Sequence, residues 1–167
     1  MGMRNLEIRR LVILSLFISI SAVLSNIKIF STIALDSMPA FLAAMLISPI
    51  AGAIVGAVGH LLSSFTSGFP LTIPMHVLIA FQMFCIVWLF GVLYKRSKDV
   101  IAISAAILLN GPIATFLSGI LIGYLDETVS VMGFFKLMVL PLTLVSAVNI
   151  IIAYIIQRVM NRARIQV

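Results

Sequence analysis

A chain of 167 residues that is 62% hydrophobic and 10% charged cannot hide its apolar surface in a water-soluble fold of this size, where about a quarter of residues normally carry charge. That excludes a soluble enzyme, a disordered tail and a disulfide scaffold, and leaves a polytopic membrane protein with one domain over residues 1–167. The net charge of +6 lies in short basic clusters between apolar runs, a pattern of membrane orientation rather than of nucleic-acid binding. Cys85 is the single cysteine, so neither an intramolecular disulfide nor a cysteine-based metal site can form, and it reads as a small buried hydrophobe.

Crossing a bilayer takes about 20 helical residues. The first apolar run, Leu11 to Asn26, follows Arg4, Arg9 and Arg10. A secretory leader shares that basic start, but the apolar core is long for one and Ser25-Asn26 is a poor cleavage context. A polar-tinged stretch from Lys28 to Ser37 leads into a run from Met38 to Phe65 that Ser48-Pro49 breaks. Proline lacks a backbone donor and disfavours helix in the residue before it, so a tight turn is expected there, between a short second span and a glycine-rich third. Thr66 to Pro74 is a loop, Met75 to Tyr94 a fourth span, Val100 to Ile122 a fifth interrupted at Gly111-Pro112, Tyr124 to Gly133 a polar loop, and Lys136 to Gln157 the last span.

Charge supports that count. Six spans put Arg4, Arg9, Arg10, Lys95, Arg96, Lys98, Arg158, Arg162 and Arg164 on one side, leaving only Lys28 and Lys136 on the other. The positive-inside rule makes the first side cytoplasmic, with both termini inside. The expected fold is therefore an all-α bundle of six transmembrane helices, N-in and C-in. Its weak point is the second span: Met38 to Ile47 makes only about 15 Å of helix, so it must begin earlier, sit in thinned bilayer, or be shielded by neighbours.

Small residues form stripes. Gly52, Gly56, Gly59 and Ser63 share one face of the third span, and Gly111, Thr115, Gly119 and Gly123 one face of the fifth; both suit close packing within the bundle. Ser15, Ser19 and Ala22 line a face of the first helix, where packing inside the bundle competes with packing against a partner protein. Polar side chains within lipid are costly and each needs a partner or a role. They are His60, His76, Gln82, Asn110 and Asn149. Asn110 and Asn149 lie at similar depth and either bond each other or face a ligand. His60, His76 and Gln82 fall in the outer half, under the three longest connections, where Phe65, Phe69, Phe81, Tyr124, Phe134 and Phe135 offer aromatic surface. A flat organic ligand held by a few polar groups suits that set; an interfacial aromatic belt accounts for part of it equally well.

Several classes lack their residues. The sequence holds no phosphate-binding Walker loop, no acid deep in a span, no metal-ligand spacing and no nucleophile–base set, and it shows no inverted repeat of the kind found in stand-alone transporters. A small membrane binding protein that draws energy from elsewhere fits best; it needs no cofactor, holds no metal and is not an enzyme.

The size, the six-span layout, the segment Ile47-Ser-Pro-Ile-Ala-Gly-Ala-Ile-Val-Gly-Ala-Val-Gly-His60 and the small stripe of the first helix resemble the substrate-binding S components of energy-coupling factor (ECF) transporters, which import vitamins into bacteria. The resemblance covers nearly the whole chain. It implies a protein of the bacterial cytoplasmic membrane that captures a vitamin or precursor at its outer face, docks on a transmembrane coupling protein bearing two ATPase subunits, and topples to deliver its cargo. Family docking uses Ala-x-x-x-Ala on the first helix; here Ser15-x-x-x-Ser19 with Ala22 stands in its place, which keeps the residues small and leaves the register open.

Gly59 to Pro70 and the following Leu71-Thr-Ile-Pro-Met-His76 are most similar to the group that transports α-ribazole, a neutral benzimidazole nucleoside and cobalamin precursor. By that resemblance Phe65 or Phe69 stacks on the ring; His60, His76 and Gln82 bond ring nitrogen or ribose; Thr72, Tyr124, Asn110 and Asn149 complete the site; and Lys136, with Asp126 and Glu127, steers or closes its rim. Riboflavin or pantothenate remain alternatives within the family, and a non-transporting membrane assembly protein is the alternative outside it.

Overall fold

The computed structural model describes residues 2–30, 33–96 and 98–164, with the side chains of 2–7, 28–30 and 33 left aside; the side chains of Arg4 and Lys28, used above for orientation, lie outside the described set. The elements in order are α1 (Gly2–Leu24), a short hairpin of β1 (Lys28–Phe30) and β2 (Ile33–Ala34), α2 (Met38–Leu46), α3 (Pro49–Thr66), α4 (Ile73–Lys95), α5 (Asp99–Leu108), a π-helical turn (Leu109–Ile113), α6 (Ala114–Leu125) and α7 (Val131–Arg162). The fold is a helical bundle with one antiparallel two-stranded ribbon, an addition to the all-helical expectation.

Among the described residues, four helices are long and apolar enough to cross a membrane: Pro49–Thr66, Ile73–Lys95, Asp99–Leu125 and Val131–Arg162. The short second span is explained by where α2 sits. Every residue from Pro39 to Met45 is buried, and α1, α3, α4 and α7 all pack on it. A helix apolar on all sides belongs in a core. At nine residues it is about 14 Å long, and shielding by neighbours is what spares its ends from lipid. Phe41 of α2 meets Phe90 of α4 edge-on at 5.1 Å between ring centroids, and with Val55, Val87 and Ile150 forms the fully buried centre.

The turn at Pro49 is where the sequence places it. Ser48 is extended and its hydroxyl accepts from the Ala51 amide at 3.1 Å, with Pro49 opening α3, the arrangement that satisfies a helix start and suits a residue with no amide hydrogen. At the end of α2, Lys95 donates to the Ile47 carbonyl at 3.2 Å, a cation on orphan carbonyl dipoles. The glycine stripes pack inwards. A β-carbon on Gly52 would run into Ala40 and Ala44 of α2, one on Gly59 into Ser21 of α1, and one on Gly111 into Thr143 of α7.

The interruption expected at Gly111-Pro112 takes the form of a π turn: α5 stops at Leu108, α6 starts at Ala114, and the widened turn absorbs the missing Pro112 donor so that the span continues. A later boundary differs from the sequence reading. The last helix begins at Val131 rather than Lys136: Ser130 is its N-cap, accepting from the Gly133 amide at 3.3 Å. The preceding loop therefore shrinks to residues 126–130, and Tyr124 belongs to α6.

Candidate functional site

A cavity of about 450 Å³ opens among α3, α4, the π turn, α6 and α7, closed on one side by residues 34–37 before α2 and on another by residues 67–71 between α3 and α4. That is the size of a small-molecule site. His60, His76, Gln82, Asn110 and Asn149 all line it. Five polar side chains from four separate segments thus face one space. Among the described residues its lining carries one carboxylate, Asp36, and neither lysine nor arginine.

The histidines form a connected group. His60 Nε2 lies 3.2 Å from His76 Nδ1. Ser64, one turn beyond His60, places its hydroxyl 2.8 Å from His76 Nδ1 and 2.7 Å from the His60 carbonyl. His60 Nδ1 faces Asp36 Oδ2 at 3.9 Å, a charge contact longer than a direct hydrogen bond. His76 is buried and its Nε2 has no partner.

The amides divide the work. Asn149, 1% exposed, accepts from the Met38 amide at 2.8 Å and donates to Val145 O at 2.9 Å and Ala34 O at 3.4 Å. It ties the start of α2 and the end of β2 to α7. Asn110 donates to Ser146 Oγ at 3.0 Å. The two asparagines do not bond each other; Ser146, the partner of Asn110, lies about one turn of α7 before Asn149. Gln82 is buried with a single long bond, 3.4 Å, to the Ala114 carbonyl, so most of its hydrogen-bonding capacity is unspent. The π turn presents Asn110 to the cavity, and the start of α6 presents Ala114 and Thr115, a common use of such turns.

Other residues singled out from the sequence stand elsewhere. Phe65 is 70% exposed and Tyr124 83%; neither lines the cavity, and both sit where lipid or the interface would cover them. Lys136 is exposed on α7, away from the lining. Thr72 caps α4, its hydroxyl accepting from the Met75 amide at 3.3 Å. Phe69 takes a left-handed backbone at φ 49° after Gly68 at φ 74°, and its ring sits 5.7 Å from that of His76, beside the cavity rather than on its wall. Residues that pattern reasoning passed over include Asp36, Ser64, Ser118 and Ser146, all in the lining. Ser64 had a signal, lying four residues after His60 on the same helical face; Asp36 had none, since only the folded chain brings it beside α3.

The stripe on α1 faces away from the bundle. Leu14, Phe17 and Ile18 pack on the core and Ser21 is buried, whereas Ser15 and Ser19 are exposed, each hydroxyl returned to a carbonyl four residues back at 2.9 and 2.8 Å. Ala22 is half-buried at the edge of the exposed strip.

The family model described as "ECF transporter, substrate-specific component" matches residues 9–160. The chain belongs to that family. It is thus a membrane subunit that binds a small-molecule substrate for an ECF module carrying ATPases, a transporter part rather than an enzyme. Comparison with curated proteins gives no match, and neither does comparison with solved structures. For an S component the arrangement is coherent: a cavity lined, among the described residues, by one carboxylate and no lysine or arginine, and an exposed face with small residues along α1.

Proposed function

We propose that this S component captures a neutral, flat vitamin precursor, with α-ribazole the best fit, in the cavity that His60, His76, Gln82, Asn110 and Asn149 line. The observation that carries this reading is the charge balance of the wall: among the described residues it is largely apolar with neutral polar side chains, one carboxylate, and no lysine or arginine. A phosphate or carboxylate would meet no lysine or arginine of that lining and would face Asp36. That weighs against pantothenate within the family and leaves riboflavin, also neutral and flat, as the second reading. Five polar side chains facing one space inside a membrane bundle are costly to maintain without a ligand, which weighs against an assembly protein.

The six-span arrangement with both termini in the bacterial cytoplasm belongs to this proposal, α1 and the shielded α2 being the two helices beyond the four evident spans. So does docking. Ser15, Ser19 and Ala22 give the coupling protein a close-packing face, and the two serine hydroxyls are already satisfied within α1, so that face meets an apolar partner without stranding a donor.

The test is thermal stabilisation of the detergent-purified chain against α-ribazole, riboflavin, pantothenate and flavin mononucleotide. A ligand that binds only the folded state raises its apparent stability. A shift with α-ribazole alone supports the reading; a shift with either anion refutes the charge argument.

A further inference from the structure

We infer that Asp36 anchors a pair of neighbouring hydroxyls on the substrate, supplied by a ribose or a ribityl chain. The inference rests on the reading of this cavity as the site of a neutral, flat substrate, and adds what the flat ring carries and which wall that part meets.

Asp36 is the one carboxylate in the lining among the described residues. Its side chain keeps 20% of its surface accessible, so a molecule in the cavity can reach it. The Ser21 hydroxyl donates to its backbone carbonyl, which holds the main chain at this residue and leaves the side chain for the cavity. A carboxylate only accepts, through two oxygens with about four lone-pair positions. Among the described residues its nearest charge partner is His60 Nδ1 at 3.9 Å, beyond a direct hydrogen bond. A partly buried carboxylate short of donors is a standing cost, and a substrate that donates to it removes that cost on binding. Two hydroxyls on adjacent carbons suit its two oxygens, and an acidic side chain holds ribose by its hydroxyl in dinucleotide-binding folds.

The rest of the wall is sorted to match. His60 and Ser63 of α3, with Ser67 just beyond it, follow at helical spacing along the lining; each can both donate and accept, as sugar hydroxyls do. On α7 the corresponding row is Phe134, Met138, Leu142 and Val145, apolar throughout. Those two helices do not pack closely on each other, so the rows stand on different sides of the cavity. A ligand with one hydroxylated end and one flat apolar end fits that division, hydroxyls toward Asp36 and α3, ring toward α7. A simple cation would satisfy Asp36 and leave the serine row without use, and a ring without its sugar would leave Asp36 unpaired.

The experiment measures dissociation constants by calorimetric titration of the full chain in detergent, as wild type and as Asp36→Asn, which keeps the size of the side chain and removes its charge. Two pairs of compounds are used: α-ribazole with an analogue lacking both adjacent ribose hydroxyls, and riboflavin with lumiflavin, which carries a methyl group in place of the ribityl chain. For the pair that fits the site, wild type should bind the hydroxylated member about tenfold more tightly or better, because hydrogen bonds to a charged group are the strong ones. In Asp36→Asn that ratio should fall to about threefold or less, with the hydroxyl-free member bound alike by both proteins, which also shows that the variant is folded. An unchanged ratio overturns the inference. So does equal weakening of both members, which makes Asp36 part of the frame rather than a contact. The expected pattern with riboflavin alone removes α-ribazole as the substrate and leaves the role of Asp36 standing. If neither hydroxylated compound binds wild type, the sugar-bearing substrate and its anchor fall together.

Discussion

Replacing Asn149 by alanine tests whether one side chain holds the wall of the cavity together. The helix start it serves has no local cap: Ser37 makes no capping hydrogen bond to α2, and the Met38 amide is bonded instead to Asn149 Oδ1, 111 residues away, at 2.8 Å. The surroundings are dry, with Pro39 and Ala40 buried and Asn149 itself 1% exposed. Truncation strands the Met38 N–H, at about 1–3 kcal/mol for a buried unsatisfied donor. The Val145 carbonyl suffers little, because it keeps its α-helical bond within α7. The bond to Ala34 O is long, 3.4 Å, and adds only a fraction of a kcal/mol. The expected loss is about 2 kcal/mol in equilibrium unfolding from mixed detergent micelles. Asn26→Ala is the matched control, since its exposed amide bonds only carbonyls of its own helix end, and should cost under about 0.5 kcal/mol. Hydrogen exchange at the Met38 amide should speed up in the Asn149 variant alone. If Asn149→Ala costs no more than Asn26→Ala, the tie between α7 and the start of α2 is absent and the account of the wall fails.

Four further outcomes are expected. Gly52→Ala should destabilise by about 1–3 kcal/mol, since its β-carbon meets backbone as well as side chain of α2, whereas Gly133→Ala on an exposed turn of α7 should be neutral or slightly stabilising; parallel unfolding curves check the pair. Gln82→Leu should abolish stabilisation by whichever compound stabilises the wild type, and Phe65→Ala, at a side chain 70% exposed, should leave it intact in the same thermal assay. Ser15→Leu with Ser19→Leu should remove vitamin uptake by cells expressing the whole transporter while purified protein still binds ligand; lost binding instead places the stripe inside the fold. Asp126, in the loop before α7, is held below the ordinary carboxylate range by the Thr128 hydroxyl at 2.6 Å and the Thr128 amide at 3.0 Å. A lowered folded value means that this loop contact contributes fully at neutral pH and is lost only as pH falls through the folded value, below the carboxylate's usual range. Thr128→Val should raise the Asp126 pKa, read by carboxyl chemical shifts during an acid titration.

Much of this molecule was legible in its sequence for a physical reason. Lipid leaves few options for a polar side chain, so His60, His76, Gln82, Asn110 and Asn149 announced themselves by composition alone, and all five line one cavity. Pro49 likewise suits a helix start, where it has no hydrogen to give and none is needed. The aromatic residues carried no such constraint. Phe65 and Phe134 look alike in sequence, and both faces of a membrane helix welcome a phenyl ring; only packing separates Phe65, largely exposed, from Phe134, in the cavity wall. The π turn was hidden for a related reason, since a proline within an apolar run can end a helix or be absorbed by a wider turn, and the choice rests with neighbouring helices.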